Sequence, residues 1–153
     1  DDKLKWKENT DLVIKKVQSR LFFLRKLRSF DVSQRILNMF YMSVVSSVLF
    51  FGCVCWGGQV TKEDRGRVDK MVKRAESVVG KSHDKLDVVY AKRLEKKTVS
   101  IMTNARHPLY TVLEGQRSQF SGRLTMPSCK TERFRRSFLP EAVKTFNVIA
   151  SKL

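Results

Sequence analysis

Apolar residues recur every three or four positions along most of the chain, a spacing that is typical of amphipathic helices. Three such stretches cover residues 6–28, about 62–79 and about 85–104, and a short last one runs from Pro140 to about Leu153. The positions predicted to face inward are Trp6, Val13, Val17, Leu21 and Leu24 in the first stretch, Val68, Met71, Val72, Ala75, Val78 and Val79 in the next, Val89, Tyr90, Leu94, Thr98, Ile101 and Met102 in the third, and Ala142, Val143, Phe146, Ile149 and Ala150 in the last.

Residues 36–61 form a different pattern, because none of these 26 side chains is charged. A stretch of this length can cross a bilayer, and it can equally be the central helix of a bundle, which is apolar on all sides. Asn38 and three serines lie within it, and the neighbouring amphipathic helices need a partner for their apolar faces. These features favour a buried helix from about Gln34 to Phe51 or Trp56, with a membrane span as the alternative.

The predicted fold class is therefore all-α: a small bundle of about four helices, followed by a loop-rich basic C-terminal arm and a short final helix. The arm is predicted because residues 105–140 contain all three prolines. Three segments are expected, namely a three-helix bundle over residues 1–80, an additional helix over 81–104, and a basic extension over 105–153. The missing Met at position 1 suggests a chain cut from a longer polypeptide.

Charge points to the class of partner. The chain has 31 Lys and Arg against 15 Asp and Glu, which gives a formal net charge of +16. Such a surplus predicts attraction to a polyanion, either nucleic acid or anionic lipid. Contacts to RNA or DNA phosphates are predicted for Lys15, Lys16, Arg20 and Lys26 in the first helix, Arg67, Lys70 and Arg74 in the third, and Arg117, Arg123, Lys130, Arg133, Arg135 and Arg136 in the arm.

Motifs for catalysis or cofactor binding are missing. The three cysteines, Cys53, Cys55 and Cys129, lack zinc-ligand spacing, and two histidines form no recognisable triad or metal motif. No phosphate-binding glycine loop occurs. We therefore expect no catalytic residue, no metal, no cofactor and no small-molecule substrate. Reduced cysteines predict an intracellular protein, nuclear or cytoplasmic.

Several motifs, taken in order, resemble a known family. They are D-x-K-L-x-W ending at Trp6, S-R-L-F-F-L-R-K-L-R-S-F at 19–30, M-F-Y-x-S-V-V at 39–45, V-C-W-G at 54–57, S-I-M-x-N-x-x-H-P-L at 100–109, and S-G-R-L-x-x-P-x-C-x-T-E-R-x-R-R-S-F-L-P at 121–140. This order resembles the C-terminal part of the reverse transcriptase polyprotein of non-LTR retrotransposons, the long interspersed elements.

The resemblance implies a non-catalytic thumb and tail of an RNA-directed DNA polymerase. Such a fragment would bind a template–primer duplex or the element's RNA beside the rest of the polyprotein. The catalytic palm and the endonuclease of that family are absent from the sequence, so only the parent polyprotein would be an enzyme. Two alternatives stay open: a single-span or membrane-surface basic protein that uses residues 36–56, and a retroelement-derived helical interaction protein without activity.

Overall fold

The computed structural model describes residues 6–151, and regular structure in that range is helical apart from one isolated antiparallel bridge between Arg117 and Leu124. The helices are α1 (Lys7–Ser29), α2 (Gln34–Phe40), α3 (Ser47–Leu49), α4 (Cys53–Trp56), α5 (Lys62–Val79), α6 (Leu86–Met102), α7 (Tyr110–Glu114), α8 (Glu132–Arg135) and α9 (Phe138–Ala150). A π-helical segment, Tyr41–Ser46, joins α2 to α3, and a 3₁₀ turn, Gly57–Gln59, follows α4. The prediction of an all-α fold is confirmed.

The described residues form two compact units. The first contains residues 6–53 and 60–89, and the second contains residues 54–59 and 90–151. The predicted boundaries after residues 80 and 104 stay a prediction.

The core of the first unit lies where α1 packs on α5 and on the stretch from α2 to α3. Val17, Leu21 and Leu24 are buried as predicted, but Ile14 rather than Val13 completes the stripe on α1. On α5 the predicted stripe is buried except for Val78, which is only half-buried. Helical spacing therefore identified the core faces and misjudged single positions at their edges.

Helix α5 begins with a reciprocal cap. The Thr61 hydroxyl accepts a hydrogen bond from the backbone N–H of Asp64 at 3.1 Å, and it donates to the Asp64 carboxylate at 3.1 Å. At the other end, Gly80 takes a left-handed conformation with φ 74°. This conformation favours glycine, so the predicted end of the helix at Gly80 is confirmed.

The uncharged stretch differs from the prediction of one helix buried on all sides. It is broken at Phe50–Gly52, and its apolar residues are divided between two faces. Leu37, Tyr41, Val45 and Leu49 are buried, whereas Met39 is 58% and Phe51 78% exposed. The reason is that α1 and α5 pack on one face of the α2–α3 stretch.

By length and composition alone, residues 34–59 could cross a membrane, and 39% of their most apolar part is buried. Core helices of soluble proteins have the same length and composition. The finding is therefore weak support for a membrane span.

The second unit has its own core, made of Ile101, Leu113, Leu124, Ala142 and Val143. Phe138, Leu139 and Phe146 pack against this cluster, so the C-terminal arm is folded around apolar residues instead of being loop throughout. Helices α7 and α8 lie inside the predicted arm, and α9 begins at Phe138, two residues before Pro140.

Two glycines permit close approach in this unit. A Cβ atom on Gly57 would lie 2.6 Å from the Tyr90 ring, and one on Gly58 would lie 2.6 Å from the carbonyl oxygen of Arg136. These two glycines therefore allow tight packing.

Helix α1 begins at Lys7, and the Thr10 hydroxyl donates to the carbonyl of Trp6 at 3.0 Å. Residues 1–5 and 152–153, with the predicted end of the last helix at about Leu153, lie outside the described residues.

Candidate nucleic-acid interface

The basic face of α1 carries four predicted phosphate contacts, Lys15, Lys16, Arg20 and Lys26. All four point away from the buried stripe: the three lysines are exposed and Arg20 is half-buried. The Arg20 guanidinium donates to the carbonyl of Lys16 at 2.9 Å, and the ammonium of Lys26 lies 5.9 Å from the centre of the Phe30 ring. These contacts leave the positive charges unneutralised, so the face stays cationic.

On α5 the predicted cations divide into two kinds. Lys70 and Arg74 are exposed and have no ion-pair partner among residues 6–151. Arg67 instead bridges α1 and α5, with nitrogen atoms 2.6 Å from Asp11 and 2.8 Å from Asp64. The hydrogen bonds to Asp11 and then Asp64 raise the pKa of Arg67 further above its ordinary value. The positive charge of Arg67 is therefore already paired with two carboxylates in the folded chain.

Arg117, in the second unit, is also paired with a carboxylate. It makes two hydrogen bonds to the Glu114 carboxylate, at 2.7 and 2.9 Å, and donates to the carbonyl of Gly122 at 3.0 Å. Its guanidinium carbon also lies 5.4 Å from the centre of the Phe146 ring. The hydrogen bond from Arg117 lowers the pKa of Glu114.

Two of the remaining cations of the arm share one acid, and the other three have none within residues 6–151. Arg135 and Arg136 both contact Glu132, at 3.0 and 2.9 Å, as neighbours three and four positions along the chain. Arg123, Lys130 and Arg133 are exposed, and none has an ion-pair partner among the described residues. Glu114 and Glu132 each lie three or four positions before their arginine partners. This spacing is typical of ion pairs on a helix, and it was not used in the prediction.

A cluster of polar groups, in which His83 contacts Asn38 and Tyr41 of the uncharged stretch, was not predicted from the sequence. His83 Nε2 lies 2.8 Å from Asn38 Oδ1, and the centre of the His83 ring lies 3.9 Å from that of Tyr41. Burial raises the pKa of Tyr41 to about 12, with help from Glu76 and Asp84. Burial also lowers the pKa of His83, against the attraction of Glu76. Because His83 lies 45 positions from Asn38, no local pattern could have indicated the contact.

A groove of about 530 Å³ runs beside the basic face of α1. Its apolar lining comes from Phe23, Leu27, Phe40 and Val44, and its polar lining from Ser19, Arg20 and Lys26. The groove therefore combines aromatic surface with two of the predicted cationic contacts. Among the residues that the structure describes, no group of three or more His, Cys, Asp or Glu side chains could hold a metal ion.

The sequence was compared with known protein families. Residues 6–47 match the model of a family described as "alkylated DNA repair protein alkB homolog 8, N-terminal". The matched residues contain all of α1, α2 and the π-helical segment. They make up about a quarter of the chain, so the match is a local similarity. No curated protein and no solved structure matches the sequence.

This match contradicts the resemblance to a retrotransposon reverse transcriptase, because the family it identifies is a different one. The interpretation as a polymerase thumb and tail is wrong on this finding, and the two alternatives, a membrane-associated protein and a retroelement remnant, gain no support. The match does not support a polymerase as the parent protein.

Proposed function

We propose that this chain is a non-catalytic module that binds RNA or DNA through the phosphate backbone, with the basic face of α1 as its principal contact. Phosphate contacts position a protein on nucleic acid without reading its sequence. The module would act inside the cell, in the nucleus or the cytoplasm, and its three cysteines are free thiols.

One observation carries the proposal. Residues 12–30 contain six Lys and Arg and no Asp or Glu, and all of these residues lie in or next to a single helix. A solvated helix face that only provides solubility usually mixes both signs of charge. Nineteen residues without an acid leave instead an unbalanced positive charge on this helix, which attracts a polyanion.

The ion pairs of the folded chain divide the predicted phosphate contacts into paired and unpaired cations. Arg67, Arg117, Arg135 and Arg136 are engaged by carboxylates, so binding a phosphate would require breaking those contacts. The cations that need no such exchange are Lys15, Lys16, Arg20, Lys26, Lys70 and Arg74 in the first unit and Arg123, Lys130 and Arg133 in the second. We assign the main contribution to this second group.

The family match supports the proposal in a limited way. The matched family is described as a repair protein for alkylated DNA, which is a nucleic-acid substrate. The matched residues 6–47 include the whole basic face of α1. The similarity therefore falls on the surface that the charge pattern selects.

The test is a comparison of two triple variants that remove the same charge. Lys15, Lys16 and Lys26 are changed to Ala in one, and the exposed lysines Lys62, Lys85 and Lys96 in the other. Affinity for a duplex and for a single strand is measured between about 50 and 200 mM salt, where phosphate contacts weaken steeply. We expect the α1 variant to bind at least about 10-fold more weakly and with a salt slope reduced by about 2 to 3.

The control variant should stay within about threefold of the unaltered chain, because only its net charge changes. Equal losses in both variants would mean that net charge alone attracts the ligand and that α1 is not the contact. A salt-independent affinity, or no binding at micromolar protein, would refute the proposed function.

A further inference from the structure

The loop between α7 and α8 begins with a small hairpin-like turn, residues 116–125, that is held by its own hydrogen bonds. Ser118 N donates to the carbonyl of Arg123 at 2.8 Å, and Thr125 N donates to that of Gln116 at 2.7 Å. The turn itself is closed by Gly122, whose φ of 66° lies in the left-handed region and whose N–H donates to the carbonyl of Ser118 at 3.1 Å. The turn is thus a bonded structure with a defined apex.

The base of this turn is anchored to the core of the second unit. Leu124 is 3% exposed and belongs to the apolar cluster. The Asn147 side chain accepts from Leu124 N at 2.8 Å and donates to the Leu124 carbonyl at 2.8 Å, as a neighbouring strand would. Because both backbone groups of one residue are satisfied by one amide, the position of the turn on α9 is well determined.

Phe120 occupies the apex and is completely exposed, at 102%. The Ser118 hydroxyl accepts from the backbone N–H groups of Phe120 and Ser121, at 3.3 and 3.4 Å, so the apex is folded over Ser118. The ring contributes nothing to the core of the unit. A large aromatic side chain presented on a braced turn is instead suited to contact with a ligand.

The charges near Phe120 in the sequence indicate which class of ligand its ring would contact. Residues 115–131 contain no acid, and their cations are Arg123, Lys130 and Arg117, of which Arg117 is paired with Glu114. The Arg123 guanidinium is exposed and has no ion-pair partner within residues 6–151. A free aromatic face with adjacent cations is the combination that binds single-stranded nucleic acid, where the face stacks on a base and the cation contacts the phosphate.

We propose that Phe120 stacks on an unpaired base of single-stranded RNA or DNA, with Arg123 on a neighbouring phosphate. The inference rests on the proposed function and adds a substrate class to it, because the bases of a duplex are already stacked on one another. A duplex would be held by the cationic surfaces alone. The turn therefore distinguishes single strands from duplexes without reading their sequence.

The experiment uses the full chain and oligonucleotides of about 12 nucleotides that carry the fluorescent base 2-aminopurine, as single-stranded RNA, single-stranded DNA and a duplex of the same sequence. The variants are Phe120→Leu, which keeps an apolar side chain without a ring, and Phe120→Tyr, which keeps the ring. Phe134→Ala, at an aromatic position that is 37% exposed, is the matched control. Phe120 is fully exposed, so its variants should melt at the same temperature as the unaltered chain.

We expect Phe120→Leu to weaken single-strand binding about 10-fold and to abolish the fluorescence quenching that stacking causes. Phe120→Tyr and Phe134→Ala should bind as the unaltered chain does, and duplex affinity should be the same in all variants. Quenching with RNA, DNA or both identifies which single strand is used. Unchanged single-strand affinity in Phe120→Leu, or an equal loss for the duplex, would overturn the inference while the proposed function stands. Absence of binding to every oligonucleotide would instead reject both.

Discussion

The Nε2 atom of His83 lies 2.8 Å from the Oδ1 atom of Asn38, which joins the loop after α5 to the beginning of the uncharged stretch. The same loop is held at Gly80, whose carbonyl accepts from Gln34 Nε2 at 2.8 Å, and at the backbone N–H of His83, which donates to Glu76 at 2.7 Å. A titratable group therefore lies within the structural contacts of the first unit.

Stability is expected to fall in mildly acidic solution because of His83. Burial lowers the pKa of His83 below its ordinary value of 6.5. Glu76, a hydrogen bond with the Lys81 backbone and Asp84 oppose that shift, and the charge of Lys81 adds to it. Above pH 6.5 the histidine is neutral in the folded and unfolded chains alike. As the pH falls below 6.5, the unfolded chain binds the proton first, so the free energy of unfolding decreases until the folded pKa is passed.

Chemical denaturation at pH 7.5, 6.5 and 5.5 would measure this decrease, and the variant His83→Gln should show a smaller one. The same change at His107, the other histidine of the sequence, is the control, because His107 belongs to the second unit. An undiminished pH dependence in His83→Gln would contradict the assignment.

Tyr41 offers a second test, since its hydroxyl is buried and has no hydrogen-bond partner within residues 6–151. A buried polar group without a partner loses its hydration and gains nothing in return. The variant Tyr41→Phe should therefore raise the free energy of unfolding by about 1 kcal/mol. Thermal and urea unfolding would measure the gain, and a loss of similar size would show that the hydroxyl has a partner.

The cap of α5 is the subject of a third prediction. Thr61→Ala removes the acceptor for the N–H of Asp64 and should lower the free energy of unfolding by about 1 kcal/mol. Thr61→Ser keeps the hydroxyl and should stay close to the unaltered chain. Urea unfolding compares the two variants; equal stabilities would mean that the hydrogen bond donated by Arg67 to Asp64 suffices to begin the helix.

Asn147 allows the turn at residues 116–125 to be loosened separately. Asn147→Ala removes both hydrogen bonds to Leu124 and should cost roughly 1–2 kcal/mol locally. Hydrogen exchange should then accelerate at the amides of Leu124 and Thr125 while the amides of α5 keep their protection. Asn147→Asp, which retains the acceptor and loses the donor, should give an intermediate rate at Leu124. Acceleration throughout the chain would show that Asn147 stabilises more than the turn.

Helical spacing accounts for the parts of this fold that could be read in advance. Val17, Leu21 and Leu24 were found because local periodicity decides which face of an amphipathic helix is buried. The uncharged stretch could not be resolved in that way, since a run without charge gives no sign of which side a neighbour covers. Within α2, Leu37 is buried and Met39 is exposed because α1 and α5 pack on one face of the helix.

The candidate interface was predictable in composition and not in detail. Counting cations selected Arg67 and Lys70 equally, but Asp11 reaches Arg67 from another helix. The pairing joins residues far apart in sequence, which no spacing rule describes. Phe120 was visible as an aromatic among basic residues, whereas its complete exposure depends on the bonded turn beneath it.

The π-helical segment changes the angle between successive buried side chains of the uncharged stretch. Before the break at Phe50, its buried residues Leu37, Tyr41, Val45 and Leu49 are each four positions apart. In an α-helix, four residues turn through about 400°, so such a row would rotate by about 40° at every step and leave the core within a few turns. The wider winding at Tyr41–Ser46 turns less per residue and cancels part of this rotation. Four-residue spacing of large apolar side chains is therefore a readable mark of an unwound turn, and deleting one residue within 41–46 would rotate the side chains that follow by about 100°.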